Sequence, residues 1–154
     1  MSIAVRPLSP HDAEACDAVM RTLPDWFSYE PGLEDCAKAV RSQSGWVAVE
    51  NDRVVGFATW AERTTATAEV TWMAVERERR NGGIGTLIVE RLAEDLSNRG
   101  YKLALAITSA AEKEPSGHDS YAETRQFWLA RGFEPLIELD IWETNIALLQ
   151  VRPL

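Results

Sequence analysis

Residues 75–86 read Val-Glu-Arg-Glu-Arg-Arg-Asn-Gly-Gly-Ile-Gly-Thr. A β-rich run ends there, Arg77, Arg79 and Arg80 follow, and Gly82, Gly83 and Gly85 open a helical pattern. Glycine lets backbone N–H groups approach a ligand with no Cβ in the way. A helix N-terminus already presents unpaired N–H donors and the positive end of the helix dipole. The chemistry this segment predicts is phosphate binding, most naturally of a diphosphate. Two other glycine loops do not fit. No lysine follows the glycines, as Gly-x-x-x-x-Gly-Lys-Ser/Thr requires. The dinucleotide turn Gly-x-Gly-x-x-Gly fails in its spacing and in the hairpins that precede it here. His11 and His118 fall in loop or helix-start contexts and read as surface residues, so a metal site has no support. Cys16 and Cys36 are too far apart for a Cys-x-x-Cys motif and read as small buried hydrophobes, a disulfide between them being the alternative.

The elements that must position this turn can be read on either side of it. Residues 3–7 alternate as a short strand. Ser9 is the N-cap of a helix with Pro10 at its first position and Asp12 and Glu14 in its first turn. Residues 23–34 hold two prolines and a glycine and predict a loop or broken helix; a second helix is expected over 33–41. Strands follow at 46–49, 54–60 and 67–75, the first two joined by a turn at Asn51-Asp52. Ile84, Leu87, Ile88, Leu92 and Leu96 share one helical face, closed by Arg99-Gly100. Residues 101–108 are apolar on both faces, which predicts a strand covered by helices and a parallel neighbour. After a polar loop at 109–119, a helix is expected over 121–131, ending at Gly132, and then strands at 133–142 and 146–151 joined by a turn. The order β-α-α-β-β-β-α-β-α-β-β predicts an α+β (mixed α/β) fold, with a mixed sheet of about seven strands and helices on both faces.

Length and composition narrow the function. With 154 residues the chain suits a single domain, 1–154, with a real core. Sixteen Lys+Arg against twenty-four Asp+Glu give a formal charge of −8, which disfavours a nucleic-acid partner and suits amines better. There is no basic segment followed by an apolar run and no stretch of about twenty apolar residues, so neither a signal peptide nor a membrane span is expected. The expectation is a cytoplasmic protein with no membrane partner.

Arg80-Asn81-Gly82-Gly83-Ile84-Gly85 satisfies the pattern Gln/Arg-x-x-Gly-x-Gly/Ala. It resembles the acetyl-CoA-binding loop of the GNAT superfamily, the GCN5-related N-acetyltransferases. Two further stretches support the resemblance. Residues 125–133, Arg-Gln-Phe-Trp-Leu-Ala-Arg-Gly-Phe, resemble the family's aromatic pair followed by x-Lys/Arg-Gly-Phe; Val54-Val55-Gly56-Phe57 resembles its third strand. The element order matches along nearly the whole chain.

The resemblance implies transfer of an acetyl group from acetyl-CoA to an amine. It implies that the backbone of Met73, Ala74 and Val75 pairs with the pantetheine arm, with the Val75 N–H polarising the thioester carbonyl. The amides of Arg80, Asn81, Gly82, Gly83, Ile84, Gly85 and Thr86 would hold the diphosphate, with the Thr86 hydroxyl as an added donor. An amine near pKa ~10 is mostly protonated at neutral pH, so a base is useful. Glu69, six residues before Val75 and on the alternating face of Thr71, Met73 and Val75, is the candidate base; an ion-paired strand carboxylate is the alternative. The family often has a tyrosine as the second aromatic of its pair, acting as the acid. That place is Trp128 here, and an indole N–H is no acid near neutral pH. Tyr121, two helical turns earlier, is the candidate replacement. The acceptor side falls on residues 23–34 and 140–145, where Trp26, Phe27 and Tyr29 stand among Asp25, Glu30 and Glu34. This suits a small-molecule amine that is cationic with an apolar part. A non-catalytic acyl-CoA-binding or sensing domain is the alternative. The final strand, long and apolar, is expected to offer a second chain an edge for a homodimer.

Overall fold

The computed structural model of the chain describes residues 2–24, 30–110, 121–142 and 145–154. Its elements run β1 (Ala4–Pro7), α1 (Ala13–Arg21), α2 (Glu30–Ser42), β2 (Ser44–Glu50), β3 (Arg53–Glu62), β4 (Thr67–Val75), α3 (Ile84–Asn98), β5 (Leu103–Ser109), α4 (Ala122–Ala130), β6 (Glu134–Leu139) and β7 (Ala147–Pro153). The order is the one the sequence predicts. The strands form one sheet in the order β1-β2-β3-β4-β5-β7-β6. The pairs β1–β2, β2–β3, β5–β7 and β6–β7 are antiparallel. β5 starts beside the start of β4, where the Lys102 and Leu103 N–H groups donate to the Ala66 carbonyl at 2.8 and 3.1 Å. Neighbouring strands that start at the same end run parallel, so the sheet is mixed and the fold α+β. Among the described residues, no helix is long and apolar enough to cross a membrane. The chain forms two compact units, residues 1–61 with 70–95, and residues 62–69 with 96–154.

In the first unit, local chemistry sets the element ends. Ser9 and Asp12 form a capping box around a single 3₁₀ turn at Pro10–Asp12, and α1 follows directly. The Asp12 carboxylate accepts from both terminal nitrogens of Arg6, at 2.8 and 2.9 Å, and from the Ser9 N–H at 2.8 Å. These donors, Arg6 first, hold its carboxyl below the ordinary value of 3.8. A depressed carboxyl stabilises the fold fully above its unfolded pKa, and that contribution is lost as pH falls through the folded one. Asp12→Asn should therefore cost about 1 kcal/mol at neutral pH and flatten stability against pH below about 4, read by denaturant unfolding at a series of pH values. Asn51 and Asp52 both take positive φ, 52° and 64°, and make the tight turn between β2 and β3.

Helices cover both faces of this unit's strands. Cys16, Val19 and Met20 of α1 and Cys36 and Val40 of α2 pack on Val47, Val54 and Phe57. Both cysteines are free thiols buried in that core, as the sequence reading preferred. Burial pushes the Cys16 thiol up to about 12 and Cys36 higher still, so neither is a nucleophile near neutral pH. The opposite face carries Gly56, where a Cβ would lie 3.1 Å from Ile88 Cδ1, 3.2 Å from the Ala74 carbonyl and 3.4 Å from Ile84 Cγ2. The glycine lets the first turn of α3 sit close on the strands. Gly56→Val should cost about 1–3 kcal/mol by overpacking, read as a lower thermal midpoint.

In the second unit, α3 ends at Asn98 and Gly100 takes φ 95°; α4 ends at Ala130 and Gly132 takes φ 87°, both left-handed helix ends. Trp128 is 6% exposed and meets the rings of Phe127 and Phe133 edge to face. One expectation is corrected here. The final strand β7 is no edge, because β5 and β6 pair with it on its two sides. The edge is β6, whose Leu136 is 62% exposed. Between β5 and β6, β7 buries Gln150 against Thr108 of β5, a long-range contact that strand order along the chain does not reveal.

Candidate active site

The glycine turn has the geometry that anion binding needs. Arg80 is extended (φ −67°, ψ 155°), Asn81 is left-handed (φ 64°), and Gly83 is left-handed again (φ 84°). The first backbone bond of α3 runs from the Leu87 N–H to the Gly83 carbonyl at 3.1 Å. Among the described residues, the amides of Asn81, Gly82, Gly83, Ile84 and Gly85 donate no hydrogen bond. Consecutive donors on alternating backbone, at the positive end of a 15-residue helix, form a concavity for an anion. A Cβ at Gly83 would meet nothing within 4 Å, so the space over the turn is open. These donors fit the diphosphate of acetyl-CoA.

The arginines before the glycines do something other than what their spacing suggests. Arg79 is ion-paired to Glu50 at 2.7 Å, and the Arg77 Nε donates to the Thr22 carbonyl at 2.8 Å. Both guanidinium groups therefore tie the turn to the protein. Sequence reasoning missed Thr22 and Glu50 as their partners, and with them the Arg53–Glu76 ion pair alongside. The alternating charges of Glu76, Arg77, Glu78 and Arg79 were the signal for internal pairing.

The candidate base lies on β4. The Glu69 side chain is 15% exposed, and its Oε1 accepts from the Arg63 Nε at 2.8 Å. Its Oε2 accepts no hydrogen bond from the described residues, so one oxygen is left to take a proton. Two residues on, the Thr71 hydroxyl donates to Gln43 Oε1 and stands 2.7 Å from the fully buried Thr59 hydroxyl, which donates to it. This polar chain was not foreseen. Threonines at alternate strand positions were its only trace in the sequence.

Strict alternation predicts Glu69, Thr71, Met73 and Val75 on one face. Thr71 does share the face of Phe57, through Thr59. Trp72 and Ala74, however, join the Phe57 core cluster as well. Thr71 and Trp72, neighbours in the chain, thus both reach that core. Beyond Val75, the Glu76 N–H donates to the Val55 carbonyl at 2.8 Å and closes β4 onto β3.

Tyr121 is the N-cap of α4 and half-buried; its carbonyl accepts from the Arg125 N–H at 2.9 Å. Trp128, in the place of the usual tyrosine, is held in the core. His118, Asp25, Trp26, Phe27 and Tyr29 lie outside the described residues. Ile141 and Trp142, near the last turn, are 59% and 40% exposed.

A diphosphate-shaped turn opening a helix after the fourth strand, in a mixed seven-stranded sheet, defines an acyl-CoA N-acyltransferase fold. The model of the acetyltransferase (GNAT) family matches residues 12–133, and the chain belongs to that family of acetyl-transferring enzymes. Among solved structures, the chain is similar to a protein described as a GNAT-family acetyltransferase from Desulfovibrio desulfuricans. The TM-score is 0.85 at 22% identity, over 99% of each chain. It is similar to the ribosomal-protein-S18-alanine N-acetyltransferase from Escherichia coli, with a TM-score of 0.80 at 15% identity, over 99% of this chain and 94% of that one. It is also similar to a GNAT-family acetyltransferase from Elizabethkingia anophelis with acetyl-CoA bound. There the TM-score is 0.73 at 17% identity, over 99% of this chain and 98% of that one. No curated protein matched the chain.

Proposed function

We propose that the chain, acting as one domain, moves the acetyl group of acetyl-CoA to a primary amine of a small molecule by direct attack in a ternary complex. The observation that carries this reading is the run of unspent amides from Asn81 to Gly85. Bound acetyl-CoA supplies an activated acyl group as a thioester. The amides of residues 81–85 hold its diphosphate, the Arg80 N–H being already bonded to the Arg77 carbonyl at 3.3 Å, with the backbone of Met73, Ala74 and Val75 along the pantetheine arm. The Val75 N–H stabilises charge on the carbonyl oxygen, a contribution of several kcal/mol where such donors are preorganised. Glu69 takes the proton of the attacking ammonium, directly or through a water. Tyr121 returns a proton to the leaving sulfur. A thiolate with a pKa near ~8.5 leaves readily, so this last step helps least.

Thermal denaturation with and without acetyl-CoA is the first test. Ligand at about 100-fold over its dissociation constant should add roughly 2.7 kcal/mol, a clear rise in the midpoint. No rise at any concentration removes the reading. Thiol release across a panel of small amines, amino acids and peptides then tests transfer. Binding without release on any of them would favour the sensing role.

A further inference from the structure

We propose that Glu50 and Arg79, with Arg53 and Glu76, form a four-charge clasp that sets the diphosphate turn in its binding shape before ligand arrives. These are positioning residues, and the proposal rests on the reading of the turn as the acetyl-CoA site.

The clasp begins in local structure. The turn at Asn51 and Asp52 leaves Glu50 and Arg53 directly opposite each other as the last cross-strand pair of β2 and β3. Beyond β4, a single 3₁₀ turn at Arg77–Arg79 is closed by the Arg79 N–H on the Glu76 carbonyl at 2.8 Å. Three residues apart on such a turn, Glu76 and Arg79 project to one side. Each charge of the hairpin meets its opposite on the turn. Arg53 Nη1 reaches Glu76 Oε2 at 2.6 Å, while Arg79 Nε and Nη2 reach Glu50 Oε1 at 2.9 and 2.7 Å. The two carboxylates are well covered, with side chains 10% and 16% exposed. The arginines stay partly in solvent, at 55% and 37% exposed, so what each pair risks is the covered carboxylate that losing its arginine would leave behind. A third tie comes from Thr22 just after α1. Its hydroxyl accepts from the Arg77 N–H at 3.1 Å, and its carbonyl accepts from the Arg77 Nε.

Every one of these ties lands on residues 76–79, immediately before the open amides, and none lands on the amides themselves. Fixing the approach to the turn removes freedom that the bound loop would otherwise lose on binding, and preorganisation of this kind raises affinity. The opposite role for Arg79, a direct phosphate ligand restrained by Glu50, makes the opposite prediction for Glu50.

The test is a double-mutant cycle with Glu50→Gln, Arg79→Gln and the pair together. Its readouts are dissociation constants for acetyl-CoA and for S-acetylpantetheine, which has the same acyl arm but no diphosphate. The clasp predicts that each single variant binds acetyl-CoA about five- to tenfold more weakly and that the double variant is no worse than either. Arg79→Lys should recover part of the loss, and S-acetylpantetheine binding should not change. Tighter acetyl-CoA binding by Glu50→Gln would overturn the clasp in favour of a phosphate-binding Arg79. Unchanged binding, or equal weakening toward both probes, would overturn it as well. If the wild-type protein binds S-acetylpantetheine but not acetyl-CoA, the diphosphate reading fails and the clasp with it.

Discussion

Glu69→Gln should lower kcat by about 10²- to 10⁴-fold at neutral pH, the range that a positioned general base supplies. Glutamine keeps the size of the side chain, and its amide oxygen can still accept from the Arg63 Nε, which lies 2.8 Å from Oε1 in the wild type. What it loses is a carboxylate oxygen able to hold a proton. The KM for acetyl-CoA should hardly move, because Glu69 contributes none of the amides proposed to hold the diphosphate. The deficit should also shrink as pH rises toward the acceptor's own pKa, ~10 for a primary amine, since a growing fraction of the amine then arrives without its proton. Arg63→Gln separates the catalytic role from the structural one. If Glu69 serves only its ion pair, both substitutions should lower stability alike and leave kcat alone. A Glu69→Gln enzyme with wild-type kcat across the pH range would sink the assignment.

What could be read before folding, and what could not, follows from how far each signal reaches along the chain. Ser9, Pro10 and Asp12 act within four residues, so the first helix start was legible at its N-cap, and the structure adds the capping box between Ser9 and Asp12. Asn51-Asp52 likewise fixed the hairpin, since only a few residue types tolerate two successive positive φ angles. β4 ran over the residues its β-branched composition marked, 67–75. The glycine turn was legible for the same reason: its strain is local and only glycine and asparagine relieve it. α2 starts earlier than its apolar periodicity indicated, at Glu30, because Pro31 suits a first helical turn. The other misreadings concern partners distant in sequence. Arg77 and Arg79 read as basic charge beside a phosphate turn, because charge alone does not say whether it faces a ligand or, as for Arg79, a carboxylate twenty-nine residues away. The contacts of Thr71 and Trp72 depend on what packs over β4, and the interior place of β7 depends on a crossover. Neither leaves a pattern in the residues concerned.

Gly83→Val should raise the dissociation constant for acetyl-CoA about 100-fold while changing the thermal midpoint of the free protein little. The asymmetry comes from the position of Gly83. Its φ of 84° is one that a β-branched residue adopts only under strain, at least about 1–2 kcal/mol. Nothing stands within 4 Å of the place a Cβ would occupy, so the new side chain collides with no part of the core and the free turn can relax by changing its backbone. That relaxation withdraws the amides from a common centre. A hydrogen bond to a charged group is worth about 1.5–3 kcal/mol. Adding one such loss to the strain gives roughly 3 kcal/mol, and each 1.4 kcal/mol is tenfold in affinity. The side chain also fills the open space into which a diphosphate would settle. Gly56→Val behaves in the contrary way, since its Cβ meets Ile84, Ile88 and the Ala74 carbonyl; its first effect is on stability. Titrating acetyl-CoA into both variants, each followed by its melting curve, sets ligand binding against packing within one helix start. Should Gly83→Val bind acetyl-CoA as the wild type does, the amides from Asn81 to Gly85 hold no diphosphate, and the proposed chemistry loses its donor.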